Sequence, residues 1–329
     1  MNFFLIFLTI PAVLIINKFL VKKNFLLSFF GEIHQGFVSK NRTPLSGGII
    51  IMIFLFINLL PESLNILVFF FLIFSLGIIS DTHFIKSPLA RMIIQFIIIL
   101  TLIVFFDIKV TNLRLEYINY FLRFDLISYL FLTFCLLILI NGSNFIDGCN
   151  TLVLGYYILI LIIVEKLNYF PLIGLSQNFV FQLLAILLIL YFFNLFGKLF
   201  LGDNGVYLIS IVFGFYLIKI YIINQFISPY FIALLLWYPA YENLFSLVRK
   251  FRKKLSPFLP DTYHFHQLVF YYLKKNFFKK NIIANSLSAN LINLYNGIIF
   301  LIATIDVSRT EFQLLLIFSN IAVYSILYL

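Results

Sequence analysis

The stretch NFVFQLLAILLILYFFNLF occupies residues 178–196 and contains no charged side chain. It is followed at once by GKLFLGDNG at residues 197–205, where glycines and an aspartate replace the apolar residues. A helix needs about 20 residues to cross the hydrocarbon core of a bilayer, so the first stretch is long enough to do so. The two stretches together predict a membrane-spanning helix that ends in a polar turn.

The whole chain repeats this alternation. It has 329 residues, 63% of them hydrophobic and 11% charged, whereas soluble proteins have about 25% charged residues. Backbone groups in lipid must be satisfied within their own segment, so the spans are expected to be helical. We predict an all-α, polytopic integral membrane protein with about 10 to 11 transmembrane helices in a single domain over residues 1–329. The eleven apolar runs lie at 3–20, 47–60, 65–79, 92–106, 127–141, 151–164, 178–196, 205–222, 228–246, 288–304 and 312–328.

Five polar stretches separate these runs and all fall on one side of the bilayer when the runs are counted as spans. If residue 1 starts outside, the inner segments hold seventeen Lys and Arg residues and the outer segments six. Basic residues prefer the inner side, so we expect a plasma-membrane (inner-membrane) protein whose polar loops are cytoplasmic. This asymmetry also explains the net charge of +10, and no nucleic-acid partner is expected. The stretches are 31–48, 80–91, 141–150, 197–205 and 256–267.

Two of these stretches carry carboxylates beside glycines and amides. Asp203 lies in the glycine-rich turn and is a hard ligand suited to Mg²⁺, although Asp and Asn also cap helices well. Residues 141–150 read NGSNFIDGCN and contain Asp147 but no basic residue. Such a loop can bind a metal or a sugar, or it can be an Asn-rich turn. An uncompensated carboxylate at a membrane edge is costly, which favours the functional interpretation.

The remaining stretches carry cations and histidines. Arg91 and Gln95 are one helical turn apart after Pro88, and Arg91 taken by itself is better explained as a membrane-surface anchor. His264 and His266 have no third soft ligand at a recognisable spacing, so zinc is the weaker interpretation. Their rings can instead donate hydrogen bonds to a pyrophosphate.

Taken in order, five motifs resemble the polyprenyl-phosphate N-acetylhexosamine-1-phosphate transferases, specifically the bacterial undecaprenyl-phosphate branch of glycosyltransferase family 4. The family's sequence patterns correspond to His34 with TPLSGG at 43–48, GIISD at 77–81 with Pro88, Arg91 and Gln95, NGSNFIDG at 141–148, FLGDNG at 200–205, and DTYHFH at 261–266.

The resemblance implies Mg²⁺-dependent transfer of a sugar-1-phosphate, with Mn²⁺ as an alternative cofactor. The donor would be a UDP-N-acetylhexosamine, the acceptor a membrane-embedded polyprenyl phosphate, and UMP the leaving group, at the start of a cell-envelope glycan such as O-antigen or peptidoglycan. A homodimer is compatible with it. The implied catalytic residues are Asp81, Asp147 and Asp203, with Asp203 and Asn144 on the metal. The implied substrate-binding residues are His34, Lys40, Arg42, Lys86, Arg91, Asn141, Asn144, His264 and His266.

Two departures from the family pattern leave alternatives open. The family's paired aspartates are Ser80 and Asp81 here, and a second loop aspartate is Asn150. These changes are the support for a catalytically inactive family member. A transporter or lipid flippase is the other alternative, and it predicts ionisable residues in mid-span that face a pathway. The deep polar residues here are few, namely Gln95, Gln182 and Glu242, and the carboxylates gather at one membrane face.

Overall fold

The computed structural model describes residues 3–28, 42–60, 63–256 and 263–328. Within these ranges the chain forms 14 α-helices and no β-strand, with a short 3₁₀ turn at Phe170–Ile173. The helices are α1 (Phe3–Lys23), α2 (Gly47–Leu59), α3 (Leu64–Asp81), α4 (Pro88–Phe105), α5 (Glu116–Leu122), α6 (Asp125–Ile146), α7 (Leu152–Lys166), α8 (Gln177–Leu195), α9 (Gly202–Ile223), α10 (Pro229–Leu235), α11 (Trp237–Arg252), α12 (Phe265–Asn276), α13 (Asn281–Ala303) and α14 (Thr310–Tyr328).

Each predicted span coincides with one of these helices or with the α10–α11 pair. Among the described residues, seven helices are long and apolar enough to cross a membrane: α3, α4, α6, α8, α9, α13 and α14. The α10–α11 pair makes an eighth if it is one span, and α2 is a shorter apolar helix. The predicted class, an all-α polytopic membrane protein, is confirmed.

One predicted span, 228–246, differs in shape because it is two helices that meet at an angle of 75°. The break lies at Leu236, which is followed by Pro239 in the first turn of α11. Proline has no N–H and its ring collides with the carbonyl four residues earlier, here Leu235, so a straight helix cannot continue through this point. The second half, α11, then extends to Arg252, beyond the predicted end of the span.

Helix α9 is the centre of the bundle. Of its apolar window 78% is buried, compared with 17% for α14 and 22% for α4, which leave most of their apolar surface for lipid. Close packing around α9 depends on small residues, as is typical of membrane helices. A Cβ atom on Gly48 of α2 would lie 2.6 Å from the Cα of Gly205, so these two backbones approach as closely as they do only without side chains.

The connections between helices collect at two ends of the bundle. At one end, Phe200 donates its N–H to Pro44 O, and Gly47 donates its N–H to Phe200 O, which joins the segment before α2 to the turn before α9. At the other end, Arg114 donates to carbonyl oxygens of Ser308 and of Gln225, which joins three loops. We call the first of these the polar end, because all five polar stretches contribute described residues to it.

Candidate active site

The centre of the polar end is the Asp203 carboxylate, in the first turn of α9. Its Oδ2 accepts hydrogen bonds from the Ser80 hydroxyl and from the Tyr207 hydroxyl at 3.1 Å. Arg91 Nη1 forms an ion pair with the same oxygen at 3.1 Å and also donates to Ser80 Oγ. Ser80, at the place of a family aspartate, therefore bridges the guanidinium and the carboxylate. The arrangement is a polar cluster built from α3, α4 and α9.

Asp81 accepts hydrogen bonds from the first turn of α9. Its Oδ1 accepts the N–H of Asp203 at 2.9 Å, and its Oδ2 accepts the N–H of Asn204 at 3.0 Å and the Asn204 side-chain amide. The first N–H groups of a helix have no partner within it, so Asp81 acts as a cap supplied by another helix. Gly202 has a φ of +68° and a Cβ there would lie 2.8 Å from Asp81 Oδ2, so glycine is required at this turn. The contacts of Asp81 give it a positioning role toward Asp203, which the sequence did not predict.

Asn144 and Asp147 approach the same cluster from the end of α6. The Asn144 amide donates to the Tyr207 hydroxyl at 3.5 Å, and this contact leaves its side-chain oxygen available as a ligand. Asp147 follows the last residue of α6. Its pKa is raised well above the ordinary value by burial, and further by the charges of Asp203 and Asp81. The three predicted catalytic carboxylates therefore lie close enough to repel one another.

The loop that contains Asp147 is held by two asparagines from other helices. Asn194, near the end of α8, accepts the N–H of Thr151 and donates to Leu199 O at 2.8 Å. It therefore joins this loop to the turn that precedes Asp203. Asn285 of α13 accepts the N–H of Asn150 at 2.6 Å. Buried amides fix the relative positions of the two loops, since neither could rearrange without leaving hydrogen-bonding groups unsatisfied.

The two predicted histidines are at the start of α12. His264 Nδ1 lies 2.9 Å from Oε1 of Glu242, and both side chains are almost fully buried. His266 is fully buried, and neither of its ring nitrogens has a hydrogen-bond partner among the described residues. Burial and the neighbouring His264 lower the pKa of His266 to about 3, against an opposing effect of Glu242. A Cβ atom added at Gly148 would lie 2.5 Å from His266 Nε2. The neutral His266 ring therefore packs directly against the loop that contains Asp147.

Other predicted substrate-binding residues are less central. The Asn141 amide donates to Gln95 Oε1 and to Leu137 O, both at 2.9 Å, which places its nitrogen in the contact between α4 and α6. Lys86 is exposed in the loop before α4. Arg42 is exposed and donates to Asn24 Oδ1 at 2.9 Å. His34, Lys40 and the start of the last motif at Asp261 lie outside the described residues.

Sequence reasoning missed several members of the site. Tyr207 was detectable, because it follows Asp203 by four residues and so shares its helix face. Glu242 stood out as an acidic residue inside a span, but the chain offers no local sign of its partner His264. The roles of Asn194 and Asn285 carry no recognisable motif and depend on packing between distant helices.

The donor set can be tested against a magnesium ion. The side-chain contacts described for Asp203 all end on Oδ2, so Oδ1 is the oxygen available to a cation. The Asn144 amide nitrogen contacts the same Tyr207 hydroxyl as Asp203 does, and the Asn144 side-chain oxygen is a second available donor. No group of three His, Cys, Asp or Glu side chains in the described part of the chain could hold a metal by itself. Magnesium is usually bound by one or two carboxylates, with waters and substrate phosphates completing the shell. Asp203 and Asn144 therefore fit Mg²⁺.

Fold and site together define a polytopic membrane protein with a carboxylate-centred polar cluster at one end of its helix bundle. Residues 63–221 match the model of the family described as Glycosyl transferase family 4. This match, over just under half of the chain, confirms the resemblance to that family that the motifs indicate. The matched segment contains Ser80, Asp81, Arg91, Asp147 and Asp203. A search among curated proteins finds no similar sequence.

Proposed function

We propose that this protein transfers an N-acetylhexosamine-1-phosphate from a UDP-sugar to undecaprenyl phosphate or a related polyprenyl phosphate in the membrane, with release of UMP. An oxygen of the lipid phosphate attacks the phosphorus attached to the sugar. A new P–O bond forms, the bond from that phosphorus to the UMP oxygen breaks, and the product is a lipid diphosphate sugar. The observation that carries the proposal is the Asp203–Arg91–Ser80 cluster, which gathers motifs from three helices at one end of the bundle.

The chain's own residues supply the positioning and the charge. Asp81 fixes the start of α9, and the start of α9 sets the direction of the Asp203 carboxylate. Arg91 Nε is buried without a partner among the described residues, so the guanidinium keeps a donor for an anionic substrate. His266 is a neutral ring with both nitrogens unsatisfied, and a phosphate or sugar oxygen would accept its hydrogen bond.

Asp203 and Asn144 would hold Mg²⁺, with Mn²⁺ as a substitute, and the ion would neutralise charge that develops on the diphosphate. Phosphoryl transfer depends mainly on positioning and electrostatic stabilisation of this kind. The lipid phosphate is largely ionised at neutral pH, since its second pKa is about 6, so a strong base is dispensable. The aspartate that the family has at the position of Ser80 is therefore not needed as a base, and a serine there is compatible with activity.

The proposed setting is the plasma membrane, with the polar end in the cytoplasm, where UDP-sugars are found. Its support is the excess of Lys and Arg in the predicted inner segments. The product would begin a cell-envelope glycan. A homodimer is a compatible assembly.

The two alternatives receive less support. A transporter predicts ionisable residues in mid-span that face a pathway, but the ionisable residue among the three deep polar ones, Glu242, is bonded to His264 and Tyr324. An inactive member would not need the ion pair between Asp203 and Arg91 in the polar cluster.

The test is UMP release by the purified protein in detergent with Mg²⁺, undecaprenyl phosphate and a panel of UDP-N-acetylhexosamines. Asp203→Asn is the matched control, because it keeps the size of the side chain and removes its charge. Release by the wild-type protein that depends on both the lipid phosphate and Asp203 supports the proposal. No release with any donor in the panel would reject it.

A further inference from the structure

Glu242, in α11, is a completely buried carboxylate with three partners from two other helices. Its Oε1 accepts from His264 Nδ1 at 2.9 Å and from the N–H of Phe265 at 3.4 Å. Its Oε2 accepts from the Tyr324 hydroxyl of α14 at 2.8 Å. A carboxylate taken out of water costs several kcal/mol unless it is paired and hydrogen-bonded, and here both oxygens are.

The ring held by Glu242 belongs to the site. His264 stacks on His266, with ring centroids 5.7 Å apart and an angle of 9° between the planes. The His264 ring also lies against Phe145, with centroids 5.1 Å apart, and Phe145 follows Asn144 at the end of α6. A rotation of the His264 ring would therefore disturb the His266 ring and the last turn of α6.

The contact also determines which nitrogen of His264 carries a proton. A carboxylate that accepts from Nδ1 keeps the hydrogen there, and Nε2 remains for a second partner. Apolar side chains can replace a buried ion pair with little loss of stability, so a buried pair beside a site is better explained by orientation than by stability.

We propose that Glu242 is a positioning residue for the site that binds the sugar diphosphate: it fixes the orientation and tautomer of His264, and Tyr324 fixes the Glu242 carboxylate. The inference rests on the proposed function and deepens it. It assigns a role to Glu242 and Tyr324, which both lie outside the five motifs. Glu242 is in α11, the second helix of the bent α10–α11 pair.

The experiment compares Glu242→Leu with Glu242→Gln. Leu removes the acceptor for Nδ1–H, whereas Gln keeps an acceptor oxygen and loses the charge. A hydrogen bond to a charged group contributes about 1.5–3 kcal/mol, which corresponds to about 10- to 150-fold in kcat/KM. We expect Glu242→Leu to lose activity within that range and Glu242→Gln to retain most of it, with kcat/KM for the UDP-sugar as the readout.

A mutant cycle shows whether Glu242 acts through His264. If it does, Glu242→Leu combined with His264→Ala loses no more than His264→Ala alone, because the ring to be positioned is already gone. Losses that multiply in the double variant would overturn the proposal. If Glu242→Leu does not fold, Glu242→Met replaces it in the cycle, since it also lacks an acceptor oxygen for Nδ1–H, and the same outcomes decide.

Tyr324→Phe removes the hydroxyl that holds Glu242 and is expected to lower kcat/KM by about 5-fold, within the range for one hydrogen bond. Its matched control is Tyr295→Phe. The Tyr295 hydroxyl likewise links α14 to another helix, because it donates from α13 to Asn320 of α14, but it does not contact Glu242. Equal losses in the two variants would show a general effect on α14 and overturn the proposal.

Binding of UDP to the purified protein separates this inference from the proposed function. If wild-type protein binds UDP but transfers nothing, the proposed reaction fails, and weaker UDP binding by Glu242→Leu still supports positioning by Glu242. Equal binding by the wild-type protein and this variant overturns it. A wild-type protein that neither transfers nor binds UDP overturns both.

Discussion

Ser80→Ala probes the feature that most distinguishes this site, the hydroxyl between Arg91 and Asp203. The Ser80 side chain is buried, donates to Asp203 Oδ2 and accepts from Arg91 Nη1. Alanine removes one oxygen and leaves the backbone of α3 unchanged. The direct ion pair between Arg91 and Asp203, at 3.1 Å, stays in place. The variant therefore isolates the contribution of the bridge.

The size of the effect follows from these contacts. Each hydrogen bond to a charged partner contributes about 1.5–3 kcal/mol, but the remaining ion pair compensates for part of the loss of two. A net loss of about 2 kcal/mol, expressed in the transition state, lowers kcat/KM about 30-fold, because each tenfold costs about 1.4 kcal/mol. We expect the loss in kcat more than in KM, since the orientation of Asp203 matters most as charge develops.

The assay is the rate of UMP release at saturating Mg²⁺, with the melting temperature measured in the same detergent. Ser210→Ala is the matched control. Ser210 is also a buried serine, in α9, but its described hydrogen bonds are to the Val206 carbonyl one turn earlier and to the Tyr157 side chain, and neither partner is a predicted site residue. We expect Ser210→Ala to keep kcat/KM within about 3-fold of the wild-type value, because a single hydrogen bond at the lower end of the usual range contributes about 0.5 kcal/mol.

Two results would refute the reasoning. One is a Ser80→Ala variant with wild-type kcat/KM, which would show that the bridge does not orient Asp203. The other is an equal loss in Ser210→Ala, which would show that the site responds to any buried serine.

Further predictions concern the metal, the pH dependence and the loops. Asp203→Asn should abolish transfer while expression stays normal, and chelator should do the same to the wild-type protein; activity in excess chelator would contradict a metal role. Asp147 has a raised pKa, so as the pH rises above about 4 the unfolded chain loses its proton while the folded protein retains it, and stability falls. In chelator, Asp147→Asn should therefore melt at a higher temperature than wild type at pH 7, with a difference that disappears near pH 4; a constant difference would point to another cause. Asn194→Leu leaves the Thr151 N–H and the Leu199 carbonyl without partners, so it should lower both the melting temperature and kcat/KM, and wild-type values of both would argue against its role in joining the loops.

The membrane class could be predicted from the sequence because it depends on local quantities. Runs of apolar residues long enough to span a bilayer must be helical, whatever they contact. The helices formed where these runs lie, with ends shifted by several residues, as for α13, which begins at Asn281 rather than 288. The break at Leu236 also had a local cause, Pro239, but its angle of 75° depends on packing.

The motifs indicated polar residues that the structure gathers at one end of the bundle, because five motifs in order are more specific than any one Asp, His or Arg. Asp203, Arg91 and Asp147 were predicted in this way, and the structure brings Asp203 and Arg91 into contact. Their individual contacts could not be predicted. Asp81 and Asp203 are separated by 122 positions, and which carboxylate caps α9 and which points into the site depends on how α3 lies against α9.

The sequence by itself, through its composition and motifs, therefore determined the helical membrane class and the approximate positions of the helices. It also indicated most of the polar residues that meet at one end. Tertiary structure alone decided that Ser80 bridges Arg91 and Asp203, and that Glu242 holds His264 from another helix. The physical reason is the separation along the chain over which each interaction acts. Apolar burial and helix formation act on neighbours in the chain, whereas a hydrogen bond of about 3 Å requires two helices to be in register, and packing of the whole bundle sets that register.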